Sequence, residues 1–402
     1  MVWKHSLNSW TLLRRNMGDF MRHIHCLNKI SPVGLESLPK EYVLSDQIDG
    51  SDAILVRSAA MHEMILPKTV RVVARAGAGV NNIPLDLFAK QGVVVFNTPG
   101  ANANGVKEIT IAGMLLASRD IIGGNRWIEE NKTDTDIAKT VEKIKSNYGG
   151  TEIKGKTIGI VGLGAIGHEL AKACVALGMN VIGKDKEGVS LESYDLPKEM
   201  VIVQDIDKLY QSSDFISLHL PLIPETKGMI NQRAFKKMKD GVIILNFARD
   251  TLVNDDDLEE AIKQKKVRAY VTDFPNPKTV NMPGVIAIPH LGASTEEAED
   301  LCATMAIHQT VQFLEYGNLI NSVNFPNASL GDKKHHRLTI LGDVSIDPSK
   351  IQKILATQTI YQSIVQTNGK YSTMIFDLSQ PLDDTRKNEI IHLPGTIRIH
   401  TC

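Results

Sequence analysis

Residues Thr157 to Gly167 read T-I-G-I-V-G-L-G-A-I-G. Ile158 to Val161 is a short apolar, β-branched run, the pattern of a buried strand. Gly162, Gly164 and Gly167 follow at G-x-G-x-x-G spacing, and Ala165 to Leu177 continues as a helical pattern free of proline. Strand, glycine turn and helix together form the context in which this spacing binds a dinucleotide. The first glycine permits the tight turn, the second lets the backbone approach a pyrophosphate, and the third lets helix and strand pack closely. The anion then faces free N–H groups at the helix N-terminus. Gly162, Gly164, Ala165, Ile166 and Gly167 are therefore the candidate cofactor-binding residues.

A second strand, Asn180 to Lys184, ends at Asp185, 23 residues beyond Gly162. An acid at this place binds both hydroxyls of an adenosine ribose and repels a 2′-phosphate, which favours NAD over NADP. Lys184 and Lys186 flank it and weaken that preference.

The chain has 402 residues, enough for two or three domains. A formal net charge of −1 with 23% charged residues suggests neither a nucleic-acid footprint nor a disordered chain. No apolar run approaches the length of a membrane span. Cys26, Cys174, Cys302 and Cys402 are scattered and form no metal or disulfide pattern, which fits free thiols in a reducing compartment, the cytoplasm. Residues 1–20 carry Lys4, Arg14 and Arg15 against one acid, Asp19, and read either as a transit leader or as an extension ahead of a start at Met21.

From Met21 to Pro99, candidate strands at Arg22–Cys26, Ala53–Val56, Val70–Ala74 and Val93–Phe96 alternate with helical patterns, as in a small parallel sheet with helices on its faces. The loops after them contain Arg57-Ser58, Arg75-Ala-Gly-Ala-Gly-Val-Asn-Asn82 and Asn97-Thr-Pro-Gly-Ala-Asn-Ala-Asn-Gly105. Such loops line ligand crevices, although Gly, Asn and Pro also serve as plain turn residues. Glu108 to Arg119 reads as a helix and Glu129 to Gly150 as a polar segment. Strands Met200–Val203, Phe215–Leu218, Val242–Leu245 and Arg268–Val271 continue the dinucleotide unit, with helices at Gln232–Met238 and Asp255–Lys265. A run at Val285–Ile288 ends at Pro289-His290, and Glu296 to Glu315 is a helix with Ala303, Ile307, Val311 and Leu314 on one stripe. After a linker at Asn324–Gly331, the remainder has the order βαββαβ of a ferredoxin-like split unit.

Four of these motifs, the loop from Arg75 to Asn82, the glycine turn, Asn246-Phe-Ala-Arg249 and Pro289-His-Leu-Gly-Ala-Ser-Thr295, resemble the D-2-hydroxyacid dehydrogenases. Arg57-Ser58, Asn102 and Asn321-Ser-Val-Asn-Phe-Pro326 resemble the phosphoglycerate dehydrogenase branch. The resemblance implies two Rossmann-like α/β domains, with the active site in the cleft between them, and a C-terminal ACT-like α+β module. The substrate domain would be discontinuous, 21–120 and 296–326, around an NAD-binding domain at 121–295, with the ACT-like module at 335–402. The implied reaction is the NAD-dependent oxidation of 3-phosphoglycerate, the entry to phosphorylated serine synthesis, in a homodimer or homotetramer. A broader glyoxylate or hydroxypyruvate reductase, or a dinucleotide-binding protein with weakened catalysis, are the alternatives.

Under the same resemblance His290 is the base, Arg249 anchors the carboxylate, and Arg57, Ser58, Asn81 and Asn102 touch the rest of the substrate. Asp273 and His290 belong to both the catalytic and the cofactor set. The chain departs from the family at three places. Asn276-Pro277-Lys278 stands where a glutamate normally holds the histidine, leaving Asp273 as the nearest acid. Asp250 replaces the glycine after the substrate arginine, and residues Gly342 to Asp347 lack the pattern of a serine-binding ACT loop. The expectation is a histidine short of its carboxylate and slow oxidation.

Overall fold

The computed structural model describes residues 21–188 and 195–402, so the expected leader at 1–20 lies outside the described residues. To Pro99 the elements are β1 (Arg22–Cys26), α1 (Pro32–Leu35), β2 (Tyr42–Ser45), β3 (Ala53–Val56), β4 (Val72–Arg75), α2 (Leu85–Lys90) and β5 (Val94–Phe96). Then come α3 (Ala103–Ser118), α4 (Ile121–Glu130), α5 (Ile137–Ile144), β6 (Thr157–Val161), α6 (Ala165–Ala176), β7 (Asn180–Lys184), β8 (Val201–Ile202), α7 (Ile206–Ser212), β9 (Phe215–Leu218), α8 (Gln232–Lys237), β10 (Val242–Asn246), α9 (Asp255–Lys263), β11 (Val267–Thr272) and β12 (Val285–Ala287). The chain closes with α10 (Glu296–Tyr316), β13 (His336–Asp343), α11 (Pro348–Leu355), β14 (Ile360–Thr367), β15 (Tyr371–Leu378), α12 (Asp384–Ile391) and β16 (Thr396–Thr401). None of the described helices is long and apolar enough to cross a membrane.

Two compact units result, one from the stretches to Pro99 and from Glu299 onward, the other from Gly100–Ala298. The second unit is a seven-stranded sheet in the order β12-β11-β10-β9-β6-β7-β8, parallel throughout. That is the doubly wound order, with its switch point at β6, between β7 and β9. β9, β10 and most of β11 are buried, as strands covered on both faces must be. The sequence reading placed α3 with the first domain; its Val106 and Met114 join the core of the second unit beside Phe247 and Val271.

In the first unit β2-β1-β3-β4-β5 form a parallel sheet, and β14-β15-β13-β16 an antiparallel one. The stripe Ala303, Ile307, Val311 and Leu314 of α10 is buried in one core with Ile24, Leu55, Phe96, Leu341 and Tyr371, so the C-terminal sheet shares that core. Arg337 of β13 is 1% exposed. Its Nε and Nη2 donate to the two Asp377 oxygens at 2.7 and 3.0 Å, and Nη1 donates to the carbonyls of Tyr316 and Gly331 and to Asn318 Oδ1. A buried ion pair is tolerable when every remaining donor is met in this way. His400 of β16 stacks on Phe313 of α10 at 4.9 Å. Arg71 Nη1 donates to His400 Nδ1 at 3.0 Å, so the ring proton sits on Nε2, which donates to the Leu314 carbonyl.

Three local readings differ from the structure. β2 and α7 are additional elements, each too short to give a clear period. The stretch expected as a polar segment, Glu129 to Gly150, is largely helical, through the end of α4, α5 and a 3-10 turn at Lys145–Tyr148. Its apolar residues Ile137, Val141 and Ile144 keep helical spacing, but sparse apolar content hid it.

Two outcomes are expected. Asp377→Ala strands a buried guanidinium and should lower stability by about 3–5 kcal/mol; an unchanged thermal midpoint would contradict the account. Burial pushes the His400 imidazole down to about 3, helped by Arg71. Below its ordinary value near 6.5 the unfolded chain takes up a proton that the folded chain refuses, so stability falls as pH falls. Urea unfolding at pH 7, 6 and 5 should show a slope that His400→Gln flattens, by an amount that approaches about 1.4 kcal/mol per pH unit between pH 6 and 5.

Candidate active site

The glycine turn opens the second unit's ligand surface. Gly162 has φ +94°, and a Cβ there would stand 2.4 Å from the His219 carbonyl. At Gly167 a Cβ would stand 2.0 Å from the carbonyl of Gly162, whereas at Gly164 it would meet nothing within 4 Å. Two glycines are thus demanded by the chain itself, and the third keeps a cradle open at the N-terminus of α6. That open cradle fits a pyrophosphate. Ala165 and Ile166 form the first turn of α6. Asp185 is fixed to the same turn: its Oδ2 accepts from the Leu163 N–H and its Oδ1 from the Lys186 N–H, both at 2.6 Å. Lys184 Nζ donates to the Asp185 carbonyl, which spends one flanking ammonium within the chain. His219, after β9, is partly buried; desolvation pushes its ring down to about 4, so it stays neutral and bonded to Ser217.

Further along the same strand ends, Arg249, Asp273, Phe274 and His290 come together. The Phe274 ring meets the His290 ring edge to face at 4.6 Å, and the Arg249 guanidinium lies 5.9 Å from the Phe274 centroid. Asp273 is 3% exposed and its Oδ1 has no hydrogen-bond partner. Burial pushes its carboxyl up, while His290 and then Arg249 oppose that from close by. Arg249 is presented by buried Asn246, whose Nδ2 donates to the Arg249 carbonyl at 2.8 Å and to Tyr270 Oη at 2.9 Å. The loop carrying His290 passes over α3 where Gly105 leaves room: a Cβ there would stand 2.4 Å from the Gly292 carbonyl. Asn102 heads α3 without using its side chain as a cap.

The departures from the family pattern have definite places. Asn276 Nδ2 donates to Asp255 at 2.9 Å, and Lys278 pairs with Asp256 and Glu259, so the loop in the glutamate's stead is tied to α9. Asp250 Oδ1 accepts from the Thr251 N–H at 2.7 Å, and Asp250 lines a cavity of about 240 Å³ with Lys227, Asp255 and Asn276.

The first unit carries Arg57, Ser58 and Asn81. One acceptor, Asn28 Oδ1, receives the N–H groups of Arg57, Ser58 and Ala59 at 3.0, 3.1 and 3.0 Å. Arg75 Nε donates to the Arg57 carbonyl at 3.0 Å. His62 Nε2 donates to the Asn81 carbonyl at 2.9 Å, and Asn82 Nδ2 to the Ala59 carbonyl at 2.8 Å, so the two loops are laced together. Asn28 escaped the sequence reading because a lone asparagine carries no spacing signal, and Asn246 entered it only as the first residue of the motif ending at Arg249; the bonds that each makes appear only in the fold.

The glycines separate binding from folding. Gly164→Val should fold yet lose most NAD affinity, measured by fluorescence titration, because only the cradle is filled. Gly167→Ala should lower the thermal midpoint instead, since its Cβ meets backbone.

Residues 111–292 match the family described as D-isomer specific 2-hydroxyacid dehydrogenase, NAD binding domain. The chain is 34% identical to a D-3-phosphoglycerate dehydrogenase of Methanocaldococcus jannaschii over 76% of this chain and 59% of that one. It is 37% identical to a hydroxypyruvate reductase of Thermotoga maritima over 62% of this chain and 80% of that one. The chain spans 59% of the length of that phosphoglycerate dehydrogenase and 53% of the length of one from Archaeoglobus fulgidus. Among solved structures, the NAD+-bound 3-phosphoglycerate dehydrogenase of Entamoeba histolytica superposes with a TM-score of 0.59 at 25% identity, covering 77% of this chain and 100% of that one. With the glycine cradle, the acid fixed beside it and these likenesses together, the chain belongs to the D-isomer-specific 2-hydroxyacid dehydrogenase family, and its cofactor is NAD.

Proposed function

We propose that the chain oxidises 3-phospho-D-glycerate to 3-phosphohydroxypyruvate, the first step of phosphorylated serine synthesis. The observation that carries this reading is the grouping of Asp273, His290 and Arg249 around Phe274 at the strand ends of the dinucleotide unit. Oxidising a 2-hydroxy acid requires a base, a cation for the carboxylate and a hydride acceptor. His290 takes the hydroxyl proton. Arg249 holds the carboxylate by parallel charge-assisted bonds and polarises the reacting carbon–oxygen bond. Bound NAD supplies the hydride acceptor.

Asp273 takes the part that the family gives to its glutamate. Its carboxylate, close enough to His290 for their charges to interact, supports the imidazolium that forms as the proton arrives. Arg57 and Ser58 receive the phosphate, with Asn81 and Asn102 completing the substrate contacts. The likeness to phosphoglycerate dehydrogenases supports the choice of substrate. In this reading the protein is cytoplasmic and works as a homodimer or homotetramer. α4 and α5 support the oligomer: they carry apolar residues yet have none buried.

The likeness to a hydroxypyruvate reductase favours a second reading, a broader reductase working in the opposite direction. Steady-state rates with 3-phosphoglycerate and NAD, set against hydroxypyruvate and NADH, decide between them. A higher kcat/KM for hydroxypyruvate would overturn the first reading, and no turnover with either substrate would leave a cofactor-binding protein.

His290→Ala should cut turnover by a factor on the order of 10² to 10⁴ with NAD affinity nearly unchanged. Asp273→Asn removes the negative charge beside the base. It should lower the plateau rate of oxidation and move the rising limb of the pH–rate profile to lower pH. A profile unmoved by that change would return Asp273 to a purely structural place.

A further inference from the structure

Arg57 is paired with another group of its own unit. Its Nη2 meets Glu299 Oε1 at 2.6 Å, with the two side chains 38% and 39% exposed. Glu299 stands in the first turn of α10, and Ser31 Oγ bonds the neighbouring Asp300. The backbone of Arg57 is fixed independently, by Asn28 and through Arg75. Breaking the pair therefore frees a guanidinium whose base stays in place.

An ion pair this exposed is worth little, because water and salt screen it and two long side chains must be ordered to make it. A phosphate dianion offers the same guanidinium two parallel charge-assisted bonds and a second negative charge. A ligand with an anionic tail therefore has to displace Glu299, whereas a ligand with an uncharged tail leaves the pair intact. We infer that Glu299 is an internal competitor for Arg57, a residue that sets the affinity for the phosphorylated end of the substrate without touching the reacting atoms. This rests on the reading of Arg57 as the phosphate partner. Glu299 then narrows the preference for phosphorylated over uncharged-tail 2-hydroxy acids and keeps free phosphate from occupying the loop.

The test uses the full chain with NAD. Five quantities are measured for wild type, Glu299→Gln, Arg57→Gln and the double variant: kcat and KM for 3-phosphoglycerate, kcat and KM for D-glycerate, and the inhibition constant of inorganic phosphate. Glu299→Gln should lower the KM for 3-phosphoglycerate and the phosphate inhibition constant together, by a factor of about two to five, the worth of an exposed pair. Its kcat and its KM for D-glycerate should stay as in wild type. Arg57→Gln should raise the KM for 3-phosphoglycerate, and adding Glu299→Gln to it should change nothing further. If Arg57→Gln leaves that KM alone, the phosphate assignment of Arg57 has failed, and this inference with it. If Arg57→Gln raises it but Glu299→Gln leaves it unchanged or raises it, the competitor role alone is overturned, and Glu299 is a spectator or a support of Arg57.

Discussion

The dinucleotide turn rests on the approach of Gly167 to the Gly162 carbonyl, where a Cβ would stand 2.0 Å from the oxygen. It forces α6 to leave β6 at one angle, with its first turn open toward the pyrophosphate position. The same turn brings the Leu163 N–H to Asp185, so phosphate site and ribose acid are built by one geometry. Because β6 stands at the switch between β7 and β9, the crevice for the cofactor opens where the chain direction around the sheet reverses.

A different device fixes the loops that carry chemistry. Asn246 gathers the Arg249 loop, Asn28 gathers the Arg57 loop, and Arg337 gathers the linker that enters the C-terminal sheet. Each does so by meeting several polar groups at once with one short or planar side chain. A backbone group left unmet in a buried place is costly, so such a side chain fixes the loop more firmly than a run of turn residues would. The chemical groups themselves stay more open: His290 is exposed while Asn246 is fully buried.

The missing glutamate has a structural counterpart on each side. Its loop is turned toward α9 by Asn276 and Lys278, and a carboxylate approaches the histidine from the end of β11 instead. That acid is buried with one oxygen unpartnered, a costly arrangement for a group whose only work is packing. In the proposed mechanism that cost is offset when a positive charge forms on His290.

The sequence by itself determined the dinucleotide turn, the parallel α/β class, the βαββαβ remainder and the stripe of α10, because each is written in residues a few places apart. Periodicity and glycine spacing act over that range, and the same local physics holds in any context. It missed the helices between Ile121 and Ile144 in part, and β2 and α7 entirely, where apolar residues are too few to set a period. Tertiary structure alone decided that Asp273 lies beside His290, that Asn28 collects three backbone donors, and that Glu299 reaches Arg57. These partners are far apart along the chain, and no local preference points one toward the other. They meet because the strands that lead into their loops, and α10 for Glu299, pack in a fixed order.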